Sequence, residues 1–208
     1  MKTVLTAVVR FLRGLRRPAK TTNRRLLRER GEDATTSFVI RDATAADIPA
    51  LARLHVTAWN ATYPGFRSPP TYELRERQWR EAFAMADGSW FCFVIENQHG
   101  ELVGFAKGTR YAHPDQPDYS GELSKIYLLP EYQRLGLGRR LVGHTAHRFL
   151  AQGISTMLLF ADAGNPSCRF FEALGAGRLR GPNGKVSYGN YGWRGLETLA
   201  SICPIDGV

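Results

Sequence analysis

The sequence is poor in cysteine and contains no long hydrophobic run. Only three cysteines occur among its 208 residues, at positions 92, 168 and 203, and no two of them form a CxxC pair. An odd, widely spaced set of this kind excludes a disulfide framework and a zinc ribbon. No apolar run approaches the roughly 18 residues that a membrane-spanning helix needs. Arg10 also interrupts the N-terminal apolar stretch that a secretory signal would require. We therefore expect a cytoplasmic protein.

Acidic residues are nearly absent from the N-terminus, and this local lack explains why the whole chain is basic. The net charge is +9; residues 1–30 contain ten basic side chains and one acid, whereas the remaining residues carry eighteen of each sign. We therefore divide the chain into a basic N-terminal arm, 1–36, and a charge-balanced domain, 37–208. The arm is partly helical in its pattern and is a candidate for weak contact with an anionic surface, or else a solvated extension. Because the domain is nearly balanced in charge, with 18 basic and 16 acidic residues, we expect no nucleic acid partner.

Hydrophobic periodicity predicts ten elements in the domain. Their order, β-α-α-β-β-β-α-β-α-β, predicts an α/β fold with a mixed sheet and helices on its faces. The predicted strands are Phe38–Arg41, Trp90–Glu96, Leu102–Thr109, Glu122–Leu129, Thr156–Ala161 and Tyr188–Thr198, and the predicted helices are Ala45–Asn60, Tyr72–Met85, Gly138–Gln152 and Pro166–Leu174.

A glycine turn between the fourth predicted strand and the third predicted helix carries the clearest chemical signal. Residues 133–138 read QRLGLG and lead directly into the helix. Glycine lets backbone amides converge on an anion, and the helix N-terminus adds partial positive charge at the same place. Arg134, Arg139 and Arg140 add side-chain charge around it. Leu141 stands where a dinucleotide-binding fingerprint has its third small residue, so that motif is excluded.

The turn resembles the acetyl-CoA loop of the GNAT superfamily of N-acetyltransferases, whose pattern is Q/R-x-x-G-x-G/A. Residues 165–175 read NPSCRFFEALG, which is similar to the family's N-x-x-x-x-x-[FY]-[YF]-E-x-x-G signature. The similarity extends over residues 38–198, and the segments 55–65 and 191–193 look like those of a bacterial subgroup. The resemblance implies a centrally splayed β-sheet flanked by helices on both faces, acetyl-CoA as cofactor, and no metal.

The resemblance also implies which residues hold the cofactor. The pantetheine arm lies in the gap between the splayed strands and bonds to backbone groups, the backbone amides of the glycine turn hold the pyrophosphate, and an asparagine contacts the pantetheine near the thioester. The cofactor-binding residues implied in this way are Ile126, Tyr127, Leu128, Gln133, Arg134, Leu135, Gly136, Leu137, Gly138, Arg139, Asn165 and Phe171.

Acetyl transfer to an amine requires a neutral amine, so a base should remove the ammonium proton. Glu122 lies eleven residues before Gln133, which is the offset of the general-base glutamate in histone-acetylating members of the superfamily. Strand alternation would put residues 122, 124 and 126 on one face. Two alternatives stay open, namely that Glu122 binds a cationic acceptor without taking its proton, or that it is an exposed acid at a strand start.

The family commonly uses a tyrosine to protonate the departing thiolate, but the corresponding residue here is Phe171, which has no hydroxyl. Tyr127, Tyr188 and Tyr191 are alternatives, and we take Tyr191 together with Glu122 as the predicted catalytic residues. We interpret Cys168 as a structural cysteine.

The acceptor pocket is expected between the first two helices and the last strand. Trp59, Tyr63 and Glu122 are the predicted substrate-binding residues, and the further candidate walls are Trp79, Tyr111 and Tyr119. We predict an N-acetyltransferase that acts on a primary amine of a small molecule in a ternary complex. The alternatives are a catalytically weak acyl-CoA sensor or scaffold and an enzyme that acetylates protein lysines or N-termini. A homodimer stays an open alternative.

Overall fold

The computed structural model describes residues 23–25, 38–85, 87–181, 184–203 and 205. Within these residues one sheet of seven strands has the order β1-β2-β3-β4-β5-β7-β6, with all neighbours antiparallel except β4 and β5. The strands are β1 (Val39–Asp42), β2 (Trp90–Glu96), β3 (Leu102–Arg110), β4 (Gly121–Leu128), β5 (Met157–Phe160), β6 (Gly177–Arg180) and β7 (Val186–Trp193).

Helices cover both faces of the sheet, which confirms the predicted α/β fold. The helices are α1 (Ile48–Thr62), α2 (Tyr72–Ala84), α3 (Leu137–Ala151), α4 (Cys168–Ala173) and α5 (Leu196–Ile202). On the first face, α1 and α2 bury a core that includes Leu51, Leu54, Trp79, Val94 and Phe105. On the second face, α3 and α5 bury a larger core that includes Phe93, Leu123, Leu141, Phe149 and Leu196.

Local signals explain where the first two helices begin. Thr44 and Asp47 form a capping box at the short 3-10 turn before α1, and a proline occupies the first turn of α1. Thr71 caps α2, because its hydroxyl accepts a hydrogen bond from the Leu74 amide at 3.2 Å. These caps hold α1 and α2 over the part of the sheet in which β3 and β4 pair.

Strands β4 and β5 separate immediately after they meet. The parallel ladder joins only Gly121 to Met157 and Glu122 to Leu158. Residues 123–128 therefore keep β3 on one side and have no strand on the other among the described residues. The predicted splay between the two strands is confirmed.

A β-bulge in β4 changes which side chains share a face. Lys125 pairs with Lys107 and Leu123 pairs with Gly108, so Ser124 is an extra residue in β4. Ile126 therefore packs into the core on the α3 side. The prediction that residues 122, 124 and 126 share one face is wrong for residue 126, because strict alternation does not continue through a bulge.

The C-terminal part of the chain differs most from prediction. The last strand was predicted to extend to Thr198, but in the structure β7 ends at Trp193 and helix α5 begins at Leu196. The spacing of Leu196, Leu199 and Ala200, which are buried, is helical and could have shown this. Strand β6 was missed because its sequence, GRLR, buries one residue and carries no alternating apolar signal beyond it.

Most of the N-terminal arm lies outside the described residues, so its predicted helix and its contact with an anionic surface stay predictions. The exception is residues 23–25, where Asn23 is 1% exposed and its side-chain amide donates to the carbonyls of Pro130 (3.1 Å) and Gln133 (2.8 Å). Sequence reasoning missed this contact. None of the helices in the described part of the chain has the length and apolar character to cross a bilayer.

Candidate active site

The turn before α3 presents backbone amides. Gly136 has φ of 93°, and a Cβ there would meet no atom within 4 Å. Arg134 has φ of 66° and is the only non-glycine residue with a positive φ in the described part of the chain. Within that part, the amides of residues 135–138 donate to no backbone carbonyl. Since these amides lie at the positive end of a helix, the turn favours an anion such as a pyrophosphate.

Two of the three arginines near this turn have other roles. The Arg139 guanidinium donates to the Ile202 carbonyl at the end of α5, and the Arg139 amide donates to the Gly136 carbonyl at 3.0 Å. Arg140 donates to the Phe38 carbonyl at 3.0 Å. These groups attach α3 to neighbouring segments, and the predicted roles of Arg139 and Arg140 around the cofactor stay predictions. Arg134 is exposed beside the turn.

The open edge of β4 forms the second part of this region. The Gln133 side-chain amide donates to the Leu128 carbonyl at 3.2 Å, which ties the end of the edge to the glycine turn. A group with peptide-like donors and acceptors can add to such an edge as an extra strand. Acetyl-CoA carries amide groups in its pantetheine arm, followed by a pyrophosphate. The residues present therefore fit the cofactor that the resemblance implies.

The two phenylalanines of α4 occupy different environments. Phe171 is 3% exposed and packs against Tyr191 and Trp193 in the core. Phe170 is half-buried, and a Cβ on Gly138 would lie 3.3 Å from its ring. The Phe171 ring has almost no free surface, and its predicted contact with the cofactor stays a prediction. Phe170, which was not predicted, is the ring beside the glycine turn.

Tyr191 lies in the core and not at the open edge. It is 1% exposed, and its hydroxyl donates to Oε1 of Glu172 at 2.9 Å. Burial and this hydrogen bond raise the pKa of Tyr191 to about 12. Glu172 also accepts from Arg178 at 2.7 Å, so the hydroxyl belongs to a structural network. These contacts favour a structural role for the Tyr191 hydroxyl, and the catalytic role predicted for it stays a prediction. The side chain of Tyr188 lies outside the described atoms, and burial raises the pKa of Tyr127 to about 12.

Glu122 occupies the last rung of the β4–β5 ladder, opposite Leu158, and it also pairs with Thr109 of β3. Its side chain is half-buried. Burial raises the pKa of the Glu122 carboxyl, and the nearby Lys125 and Lys107 offset part of that rise. A carboxylate with a raised pKa at the point where two strands part is a suitable proton acceptor for a group bound in the opening.

The C-terminal end of α1 reaches across the opening to the loop after β5. There Nδ2 of Asn165 donates to the Tyr63 hydroxyl at 2.9 Å. Trp59 packs against Tyr63 with ring centroids 5.1 Å apart and against Phe66 at 5.2 Å. Burial raises the pKa of Tyr63. The structure thus brings together one predicted cofactor contact, Asn165, and two predicted substrate contacts, Trp59 and Tyr63.

A cavity of about 460 Å³ lies on the α1–α2 face of the sheet, between α2 and strands β2 to β4. Trp79 lines this cavity, but Trp59, Tyr63 and the last strand do not, so it is not the pocket that was predicted between the first two helices and the last strand. Tyr119 does not line it, because it is 6% exposed in a separate cluster with Leu158 and Leu179, and Tyr111 packs beside that cluster.

Several residues of the cavity were missed by sequence reasoning. Arg75, Lys107 and Lys125 contribute charge to its wall. His55 is 2% exposed and also lines it, and burial lowers the pKa of His55 to about 3, so that its ring is neutral. Single basic residues on an amphipathic helix or a strand carry no motif, so the sequence contains no signal that would have grouped them.

The chain resembles known acetyltransferases in sequence and in fold. Residues 51–176 match the model of the acetyltransferase (GNAT) family. The chain is 30% identical over 173 residues to an uncharacterized N-acetyltransferase of Bacillus subtilis, YuaI, and the match covers 78% of this chain and 96% of that protein. It is also 30% identical over 155 residues to the phosphinothricin N-acetyltransferase of Streptomyces viridochromogenes, covering 74% and 81% respectively.

Among solved structures, the PaiA N-acetyltransferase of Thermoplasma acidophilum in complex with coenzyme A is similar in fold. Its TM-score is 0.62 at 19% identity, over 76% of this chain and 98% of that one.

Proposed function

The chain belongs to the acetyltransferase (GNAT) family and is an acetyl-CoA-dependent N-acetyltransferase, and from this premise we propose that it acetylates the primary amine of a small molecule by direct attack in a ternary complex. The position of Glu122 supports the proposal most strongly. Glu122 lies where β4 and β5 separate, beside Thr109 of the cavity wall, although Glu122 itself is not among the residues that line the 460 Å³ cavity. In the proposal Glu122 accepts the proton of the bound ammonium group, so that a neutral amine faces the cofactor gap.

Bound acetyl-CoA supplies an acetyl group activated as a thioester. In the proposal the amides of residues 135–138 hold its pyrophosphate, and the backbone of Ile126, Tyr127 and Leu128 holds its pantetheine arm. Gln133 and Arg134 flank the same turn. Asn165 lies beside the thioester, and its hydrogen bond to Tyr63 fixes the orientation of its amide.

No tyrosine hydroxyl stands at position 171, and the Tyr191 hydroxyl is committed to Glu172. A thiol has a pKa of roughly 8.5, so a thiolate is a tolerable leaving group without a proton donor. We therefore assign no side chain to the protonation of the thiolate.

The cavity supports a small-molecule acceptor rather than a protein. Its volume of about 460 Å³ lies within the range typical of small-ligand sites. One relative is, by its name, an enzyme that acts on phosphinothricin, which is consistent with an acceptor of this size.

The proposal is tested by calorimetry of acetyl-CoA binding, followed by thiol release against a panel of small amines. We expect binding, and turnover on at least one amine. Glu122→Gln should bind acetyl-CoA as the wild type does but lose roughly 100-fold in kcat at neutral pH. The loss should shrink toward pH 10, because an alkyl ammonium with a pKa of about 10 then loses its proton to water.

Glu101→Gln, in the turn between β2 and β3, is the matched control and should keep wild-type turnover. Turnover that is insensitive to Glu122→Gln would refute the base assignment and keep the enzyme. Acetyl-CoA binding without turnover on any amine would favour the sensor alternative, and the absence of acetyl-CoA binding would refute the proposed cofactor residues.

A further inference from the structure

Three cations share the inner wall of the 460 Å³ cavity. Arg75 comes from α2, Lys107 from β3 and Lys125 from β4, and the two lysines are direct partners across the strand pair. Like charges directly opposite each other destabilise a sheet. Within the described residues, none of the three forms an ion pair. Burial lowers the pKa of Lys125, and Lys107 and Arg75 lower it further. Folding alone therefore does not explain this cluster.

The same wall holds buried donors that lack an acceptor. Among the described residues, the indole Nε1 of Trp79 and the Nε of Arg75 have no hydrogen-bond partner, and neither has the Nδ1 of His55, which donates in only one tautomer. Trp79 is 3% exposed and His55 is 2% exposed. An indole N–H and a guanidinium N–H can only donate, and buried donors are normally paired in native proteins. These three atoms have almost no exposed surface, so an oxyanion in the cavity would instead meet the charged ends of Arg75, Lys107 and Lys125, for which it would supply the missing negative charge.

Among the described residues, no carboxylate pairs with the three cations of the cluster. Glu81 and Asp87 lie on the outer rim and are exposed. Glu81 lies 4.0 Å from Arg77, and Asp87 accepts a hydrogen bond from the Ser89 amide at 2.9 Å. Glu122 is the carboxylate that raises the pKa of both lysines, although burial outweighs it in each case.

Aromatic rings define the remaining wall. The ammonium of Lys107 lies 4.7 Å from the centroid of the Trp90 ring and 5.8 Å from that of Trp79. These cation–π contacts hold the Lys107 ammonium at the cavity wall without adding negative charge. The cavity thus combines apolar walls with a small set of convergent donors, as small-molecule sites do.

We propose that this cavity binds an oxyanion of the acceptor, so that the substrate is a small primary amine that also carries a carboxylate or a phosphorus oxyanion held by Arg75, Lys107 and Lys125. The inference rests on the proposed function, because it assigns the amine of the same molecule to Glu122. Glu122 pairs with Thr109, which lies two residues after Lys107 on β3. Two residues span about 7 Å along a strand, so the positions proposed for the amine and for the oxyanion are about this far apart. This separation favours acceptors whose amine and anion are several bonds apart.

The test compares amines that differ only in the distant group. γ-Aminobutyrate and aminopropylphosphonate carry the two anions, and γ-aminobutyramide is the neutral counterpart. We expect kcat/KM for the better anionic amine to exceed that for the amide by at least about tenfold, since a charge-assisted hydrogen bond contributes roughly 1.5–3 kcal/mol. Arg75→Gln and Lys107→Gln should each reduce this preference by roughly tenfold or more, and Lys107→Arg should retain it. The ratio of kcat/KM for γ-aminobutyrate to that for aminopropylphosphonate shows whether the cavity prefers a carboxylate or a phosphonate.

Arg77→Gln is the matched control, because Arg77 is exposed on the same helix, pairs with Glu81 at 4.0 Å and does not line the cavity. It should leave the preference unchanged. Equal kcat/KM for the anionic and neutral amines, or a preference that survives Arg75→Gln, would overturn the inference while leaving the acetyltransferase activity intact.

A second measurement does not depend on turnover. Methylphosphonate and acetate are titrated into the CoA-saturated protein, and the fluorescence of the cavity tryptophans is followed. Saturable quenching that Arg75→Gln abolishes supports the anion site even if no amine of the panel is acetylated. Absence of quenching by either anion refutes the anion site. Failure to bind acetyl-CoA would instead refute the proposed function.

Discussion

The two sides of the splay between β4 and β5 present positive potential by different means. On the proposed cofactor side, the turn at residues 133–138 presents backbone amides at a helix N-terminus, and the side chains of Arg139 and Arg140 point to other segments. On the proposed acceptor side, the cavity is lined by the full charges of Arg75, Lys107 and Lys125. Backbone dipoles carry no net charge to desolvate, whereas buried lysines repel each other and have lowered pKa values.

This difference has a consequence for how each side tolerates substitution. A site made of backbone amides depends on conformation, so it is sensitive to the few positions that need glycine and tolerant elsewhere. A site made of side chains can be changed one residue at a time without altering the fold. The acceptor side is therefore the part of the molecule in which substrate preference can be altered by single substitutions.

The largest expected effect is at the glycine turn, where the proposed binding of acetyl-CoA depends on backbone conformation. Gly136→Val should weaken acetyl-CoA binding by about 100-fold or more, because valine disfavours the left-handed conformation and two or more amide–phosphate hydrogen bonds of roughly 1.5 kcal/mol each would be lost. Calorimetry of acetyl-CoA binding measures the effect.

Gly153→Val is the control for this prediction. Gly153, at the other end of α3, has φ of 74°, and a Cβ at this position would likewise meet no atom within 4 Å. Both variants should lose similar thermal stability, and the Gly153 variant should keep its affinity for acetyl-CoA. Equal loss of affinity in both would mean that general destabilisation, and not the amide cradle, explains the effect.

The hydrogen bond between Tyr63 and Asn165 joins the two sides, so its removal should affect both. Tyr63→Phe deletes the hydroxyl that accepts from the Asn165 amide at 2.9 Å. A neutral hydrogen bond contributes about 1 kcal/mol, so we expect KM for acetyl-CoA and for the amine each to rise by roughly fivefold. Initial-rate measurements with each substrate varied in turn check this. A rise in KM for only one of the two substrates would show that Tyr63 affects the binding of that substrate alone.

Tyr191→Phe separates a structural role from a catalytic one. The Tyr191 hydroxyl donates to Glu172, so its removal should lower the free energy of unfolding by about 1 kcal/mol. Turnover should change less than about twofold, because the hydroxyl is committed to that network. Urea denaturation and thiol-release kinetics give the two numbers. A large loss of kcat at unchanged stability would restore Tyr191 as a catalytic residue.

The glycine turn and the charged cavity also differ in how well the sequence predicted them. The proposed cofactor turn is contiguous, and its glycines and flanking strand and helix are visible in one short segment, so the turn and the helix start could be predicted from the sequence. The charged cavity brings together Arg75, Lys107 and Lys125 from three elements, and no spacing rule links them. Phe171 was chosen over Phe170 because the motif names a position, whereas the orientation of α4 decides which ring faces the turn.

For the fold, the strongly patterned elements were predicted within a few residues, and the weakly patterned ones were not. Strand β6 buries one residue of four, and the bulge at Ser124 has no sequence signature. Both depend on pairing with distant strands. The bulge matters most for the site, because it puts Glu122, Lys125 and Tyr127 on the cavity face.

The smallest expected effect tests whether the buried positive charge of the cavity lowers the stability of the fold. Burial outweighs the attraction of Glu122 and holds the pKa of Lys107 below its ordinary value, so the charged lysine destabilises the folded state at neutral pH. This destabilisation disappears as the pH rises from the lowered pKa to the ordinary value. Lys107→Gln should therefore raise Tm at pH 7 by about 1–3 °C, with a difference that narrows toward pH 10.

The same variant should also shift the pH dependence of turnover. Lys107 favours the ionised form of Glu122, so its loss raises the pKa of the Glu122 carboxyl further. The base must be ionised to accept a proton, and the acid limb of kcat/KM should therefore move to higher pH in Lys107→Gln. Thermal melts and pH–rate profiles of the same preparation check the two effects together. A variant that is less stable at neutral pH, or whose acid limb stays in place, would show that Lys107 supports the fold and does not act on the site.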